Sequence, residues 1–71
     1  MKVFEEIQRR LRLNDSEMAR IVGLRDARAW ISFRESVEKV SARPLLRLME
    51  ASPIPKTAIL EKMKKELRIK T

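Results

Sequence analysis

LNDSEMARIVGLRDARAWISF, residues 13–33, has the pattern of two short helices joined by a turn that is centred on a glycine. Asn14, Asp15 or Ser16 can cap the first helix, because the side-chain oxygen of each can accept a hydrogen bond from a free amide of the first turn. Gly23 supplies the left-handed backbone with which many helices end. The segment therefore predicts a tight, angled pair of helices.

The second helix of this pair divides into an anchoring face and a free face. Asp26 is a natural N-cap for it. Trp30 and Phe33 share an apolar face, which predicts contact with the core. Arg28 and Ser32 are four residues apart and lie on another face, well away from Trp30. One face is predicted to hold the helix in place, and the other is free to bind a partner.

Apolar residues recur at helical spacing in three further segments. These are residues 2–12, the segment that Ser41 caps with Pro44 in its first turn, and residues 55–69. The prolines of SPIP, residues 52–55, end the fourth helix because they cannot continue its hydrogen bonds. We predict an all-α, compact five-helix domain. Its predicted apolar stripes consist of Phe4, Ile7, Leu11, Met18, Ile21, Val22, Trp30, Phe33, Leu45, Leu48 and Met49, with Leu46 beside them.

The charge of the chain favours a polyanionic partner. Seventeen Lys and Arg face ten Asp and Glu, so the formal net charge is +7, and the sequence pI is near 10.6. Single-stranded nucleic acid is disfavoured, because its binders need exposed aromatic platforms and the chain has only one Trp and two Phe, all predicted to be buried. The charge alone therefore favours a nucleic acid as the partner, but it does not specify DNA.

Several classes of function are disfavoured by what the sequence lacks. The absence of Cys and His removes disulfides, the usual zinc ligands and the commonest nucleophile and base pairs, so we expect no enzyme activity, no metal and no cofactor. No apolar run is long enough to span a bilayer, and the N-terminus does not form a signal-peptide core. We expect a cytoplasmic protein with one domain, residues 1–71, without a membrane or small-molecule ligand.

A family resemblance rests on the spaced residues Leu13, Glu17, Ala19 and Gly23, followed by a capped helix that contains Trp30 and Phe33. With this pattern, residues 13–48 resemble the Xre/Cro, lambda-repressor-like helix-turn-helix family. Within that family, GLRDARAWISFRES, residues 23–36, is most similar to small regulators of phage and mobile-element operons. These include the anti-CRISPR-associated (Aca) autorepressors.

The resemblance implies a homodimeric, sequence-specific transcriptional regulator of double-stranded DNA that represses its own operon. The helix over residues 27–34 is expected to enter the major groove, and two copies are expected to bind an inverted repeat. Arg28 leads the expected base readers because a guanidinium matches O6 and N7 of guanine. The base-reading set is Arg28, Ser32, Ala27 and Arg25. The phosphate-contacting set is Asn14, Ser16, Arg34, Lys39, Ser41 and Arg43.

The sequence departs from the family at two places. Asp15 stands where the family often has Gln, and a carboxylate there would repel phosphate, so Asp15 is predicted to be a helix cap. Residues 33–36 read Phe, Arg, Glu and Ser where the family often has a Trp-Glu-x-Gly string. Because of the second difference, the resemblance does not predict the conformation of the loop that follows the helix over residues 27–34.

The apolar stripe of the last helix, residues 55–69, has two interpretations. It can close over the domain's own core, or it can meet its counterpart in a second chain, which is the interpretation we favour. The expected dimer residues are Ile59, Leu60, Met63 and Leu67. An antitoxin-type module that docks on a partner protein and an RNA-binding regulator remain alternatives, and a membrane-surface helix is disfavoured by Glu61 and Glu66.

Overall fold

The computed structural model describes residues 1–35 and 41–67, and over these residues the chain forms five helices and no strand. This confirms the all-α prediction. Lys39 and the end of the predicted last helix, residues 68–69, lie outside the described residues. The helices are α1 (Lys2–Leu11), α2 (Asp15–Val22), α3 (Ala27–Glu35), α4 (Ala42–Ala51) and α5 (Lys56–Leu67).

A single core lies between the helices, and aromatic rings occupy its centre. The Phe33 ring stacks on Phe4 of α1 with a centroid distance of 5.1 Å and on Trp30 with a centroid distance of 5.8 Å. The contact between Phe33 and Phe4 joins α1 to α3. The buried apolar side chains are Val3, Phe4, Ile7, Met18, Ala19, Val22, Trp30, Phe33, Leu48, Met49, Ile54 and Ile59.

The buried face of α2 differs from the prediction at one residue. Met18 and Val22 are buried as expected, but Ile21 is 37% exposed, and Ala19 completes the stripe instead. Because successive helical residues are about 100° apart, a stripe that includes Ala19 turns Ile21 toward solvent. The prediction that Ile21 belongs to the core is wrong. Leu46, which was expected beside the α4 stripe, is also exposed.

Polar contacts attach α5 to the beginning of α1. The main-chain amides of Lys2 and Val3 donate hydrogen bonds to the Glu66 carboxylate, so a side chain from α5 caps α1. One turn later in α1 and one turn earlier in α5, Lys62 Nζ lies 2.6 Å from Glu6 Oε2. Together these contacts hold the last described helix against the first.

A membrane-spanning helix must be both long and apolar, and the structure describes five helices. None of the five combines the length and the apolarity of a membrane span.

Candidate nucleic-acid interface

The helix pair begins with a complete capping box at Asn14. The Glu17 amide donates to Asn14 Oδ1 at 2.8 Å, and the Asn14 amide donates to Glu17 Oε1 at 3.0 Å. The first four amides of a helix have no carbonyl partner within the helix. The two bonds of the capping box satisfy the amides of Asn14 and Glu17, which leaves those of Asp15 and Ser16. The prediction that Asp15 is the cap is wrong, because Asn14 has the extended backbone and makes the capping bond.

The turn between α2 and α3 has the predicted glycine geometry. Gly23 has φ 77° and ψ 27°, and the Leu24 amide donates to the Ala19 carbonyl at 2.7 Å, which is the hydrogen bond of a Schellman C-cap. The Arg47 guanidinium crosses the turn, and a Cβ atom built on Gly23 would lie 2.6 Å from Arg47 Nη1. The backbone angle therefore favours glycine here, whereas the Arg47 guanidinium is the end of a flexible, exposed side chain and can move away from a Cβ atom.

The helix α3 begins at the predicted cap and presents two different faces. Asp26 Oδ1 accepts a hydrogen bond from the Ala29 amide at 2.9 Å. Trp30 and Phe33 are at most 2% exposed, whereas Arg28 and Ser32 are exposed. This confirms the predicted division of the helix into an anchored face and a free face.

A shallow groove of about 330 Å³ lies between α2 and the start of α3. It brings together three of the predicted DNA contacts, Ser16, Arg25 and Ala27, of which Ala27 is half-buried. Arg20 also lines the groove, although the sequence argument did not include it. Its position four residues after Ser16 was the available signal, since residues at that spacing share a helix face.

A polar network that sequence reasoning missed lies behind α3 and is centred on Gln8. Gln8 Oε1 accepts hydrogen bonds from Trp30 Nε1 at 3.0 Å and from Arg34 Nη1 at 2.8 Å. Gln8 Nε2 donates to Asp15 Oδ1 at 2.8 Å and to the Leu13 carbonyl at 3.2 Å. One side chain of α1 therefore contacts the start of α2 and two residues of α3 that are one helical turn apart.

Arg34 belongs to this network, which argues against its expected contact with phosphate. Its Nη1 atom lies 3.1 Å from Asp15 Oδ1, and only 18% of the side chain is exposed. The guanidinium therefore neutralises the Asp15 carboxylate inside the domain. We correct the assignment of Arg34 from a DNA contact to an internal ion-pair partner, because releasing it would leave Asp15 without that partner.

The second expected phosphate region is described only at its C-terminal end. Ser41 has the extended backbone of an N-cap residue, without a side-chain capping bond, and both Ser41 and Arg43 are exposed. The side chains of Ser41 and Arg43 are thus accessible. The prediction for Lys39 falls outside the described residues.

The four expected dimer residues on α5 have different environments. Ile59 is fully buried in the core of its own domain, which contradicts a role in a dimer interface. Met63 and Leu67 are half-buried, and Met63 packs against the core. Leu60 is 46% exposed. The helix therefore closes over its own core with one side and leaves Leu60 at the surface.

The described residues contain no group of three acidic, His or Cys side chains that could hold a metal ion. Comparison of the chain with models of protein families, with curated proteins and with solved structures finds no match.

Proposed function

We propose that this protein is a helix-turn-helix protein that binds double-stranded DNA in a sequence-specific manner, with α3 in the major groove. The observation that carries the proposal is the two-faced character of α3. Trp30 and Phe33 fix the helix in the core, and Arg28 and Ser32 remain accessible on the opposite side. A short helix anchored in this way presents side chains to base edges in a fixed orientation.

The surroundings of α3 support an anionic partner with a regular backbone. Arg20 and Arg25 line the groove beside its first turn, and the Arg25 side chain is 89% exposed. The α2 amides of Asp15 and Ser16 lie at the positive end of a helix, where a phosphate is favoured. These groups are suited to position DNA, while Arg28 and Ser32 read it.

The regulatory role is proposed from the same features and from the resemblance to small autorepressors. We propose a homodimer that represses its own operon by binding an inverted repeat, so that two copies of α3 contact two half-sites. The exposed Leu60 supports an interface that includes the outer side of α5. Leu67, seven residues later, lies on the same side of the helix.

The experiment that tests DNA binding is a footprint on the DNA immediately upstream of the chain's own gene. Protection of an inverted repeat is the expected result. Competition with mixed-sequence duplex DNA and with structured RNA of equal length then separates the alternatives. An RNA that competes as well as the protected duplex would contradict the proposal, and so would the absence of any protected site.

A further inference from the structure

A basic cleft runs along one side of α1 and includes the turn that leads to α2. It has a volume of about 630 Å³ and is open to solvent. Its basic lining residues come from α1, from the turn after it and from the end of α3. The lining consists of Lys2, Glu5, Gln8, Arg9, Arg12, Leu13 and Arg34.

Arg12 has a backbone conformation that its side chain does not favour. It forms the C-cap of α1 with φ 56° and ψ 40°, and within residues 1–35 and 41–67 it is the one non-glycine residue with a positive φ. Glycine is the residue that adopts this conformation without strain. Because glycine is favoured at such a position, the presence of an arginine points to a role for its side chain beyond the capping of α1.

The charge of the cleft is positive. Lys2, Arg9 and Arg12 line it against the single carboxylate of Glu5, while the fourth cation of the lining, Arg34, is already paired with Asp15. Among the described residues, neither Arg9 nor Arg12 takes part in an ion pair. The Nε atom of Arg34, which also lines the cleft, is buried and has no hydrogen-bond partner among the described residues. The cleft is therefore suited to an anion.

We propose that Arg12, with Arg9, binds a backbone phosphate of the DNA that flanks the contacts of α3. This inference rests on the proposed function. Arg12 is two residues before Asn14, so their Cα atoms are at most about 7 Å apart. A phosphate in the cleft would therefore lie beside the phosphate at the start of α2, and Arg12 would extend the DNA contact from the helix pair onto α1.

The test compares Arg12→Gly with Arg10→Ala. Arg10 has the same charge and lies on the same helix, but it is paired with Glu6 and is not part of the cleft lining. Thermal unfolding by circular dichroism gives the stability of each variant. Filter binding to the protected duplex and to mixed-sequence duplex, over a series of salt concentrations, gives the affinity and its salt dependence.

We expect Arg12→Gly to have an equal or higher Tm, because glycine relieves the left-handed strain, and to bind both duplexes several-fold more weakly. Its slope of log K against log salt should be shallower than that of the wild type by about 0.9, the value for one lost phosphate contact. Arg10→Ala should change neither quantity to this extent. Arg12→Lys should restore part of the affinity.

The possible failures are distinguishable. If Arg12→Gly binds duplex DNA with the affinity and salt slope of Arg10→Ala, the Arg12 contact is wrong and the proposed function stands. If the wild-type protein binds no duplex DNA, the proposed function and this inference both fail. If the two arginine variants lose affinity equally, the cleft has no special role and only overall charge matters.

Discussion

Trp30 Nε1 donates a hydrogen bond to Gln8 Oε1 at 3.0 Å, across 22 residues of sequence. The indole is fully buried, so its N–H group has no access to water. Because Gln8 also holds Arg34 of the same helix, the rotation of α3 about its own axis is fixed by α1. Gln8 thereby determines which way the exposed face of α3 points, although Gln8 itself lies on α1.

The first prediction concerns Gln8. Gln8→Met keeps the length of the side chain but leaves the buried Trp30 Nε1 without an acceptor, so we expect a loss of about 1–3 kcal/mol in the free energy of unfolding. Urea unfolding measures it. Glu5→Met is the matched control, because Glu5 is exposed on the same helix. A Gln8→Met protein as stable as the Glu5→Met protein would show that the network adds nothing.

The second prediction separates base reading from backbone contact. We expect Arg28→Ala to lose about 1–3 kcal/mol of binding energy for the footprinted site and much less for mixed-sequence duplex. Arg43→Ala should weaken binding to both duplexes alike and reduce the salt slope by about 1. Titrations of both variants on both duplexes give the four affinities. Equal losses on the two duplexes for both variants would remove Arg28 from the base-reading role.

The third prediction concerns acid pH. The hydrogen bond from Lys62 is the main cause that lowers the pKa of Glu6 below its ordinary value of 4.5. Since the folded pKa lies below the unfolded one, the Glu6 carboxylate stabilises the fold at neutral pH. This contribution is lost as the pH falls through 4.5 toward the lower folded pKa.

We therefore expect Glu6→Gln to lose Tm at neutral pH and to show a smaller further loss than the wild type between about pH 6 and about pH 3. Glu61→Gln is the control, because Glu61 is 69% exposed and its nearest charged partner, Lys64, is 3.8 Å away. Parallel curves of Tm against pH for wild type and Glu6→Gln would rule out a contribution from the Glu6–Lys62 contact.

The fourth prediction distinguishes two neighbouring residues of α5. Ile59 is fully buried, so Ile59→Ala should destabilise the domain by about 2–5 kcal/mol. Leu60 is 46% exposed, so Leu60→Glu should leave the fold intact and dissociate the proposed homodimer. Sedimentation equilibrium measures the second effect. A wild-type monomer at all concentrations would contradict the dimer. A Leu60→Glu protein that remains dimeric would contradict the placement of Leu60 in its interface.

The sequence predicted those elements that local chemistry determines. Gly23 and Asp26 mark the turn and the start of α3 through main-chain geometry that involves only neighbouring residues. The pairing of Trp30 with Phe33 follows from helical spacing. These features need no knowledge of distant parts of the chain, which is why they could be read directly.

The features that were missed depend on residues far apart in sequence. Arg34 was expected at DNA, but it meets Asp15 across 19 positions and Gln8 across 26. Gln8 follows buried Ile7, so it lies at the margin of the α1 stripe, but periodicity does not identify its partner. Ile21 also fits the helical period, but the face of α2 that packs in the core includes Ala19, and this places Ile21 at the surface.

The contact between Glu66 and the first amides of α1 has a consequence for biosynthesis. Sixty-four residues separate Glu66 from Lys2, and the neighbouring contact of Lys62 with Glu6 spans 56 residues. A nascent chain leaves the ribosome from its N-terminus, so α1 stays uncapped by Glu66 until almost all of this sequence has been translated. Among the five described helices, α1 is thus translated before the others and yet receives its N-terminal cap from the last of them.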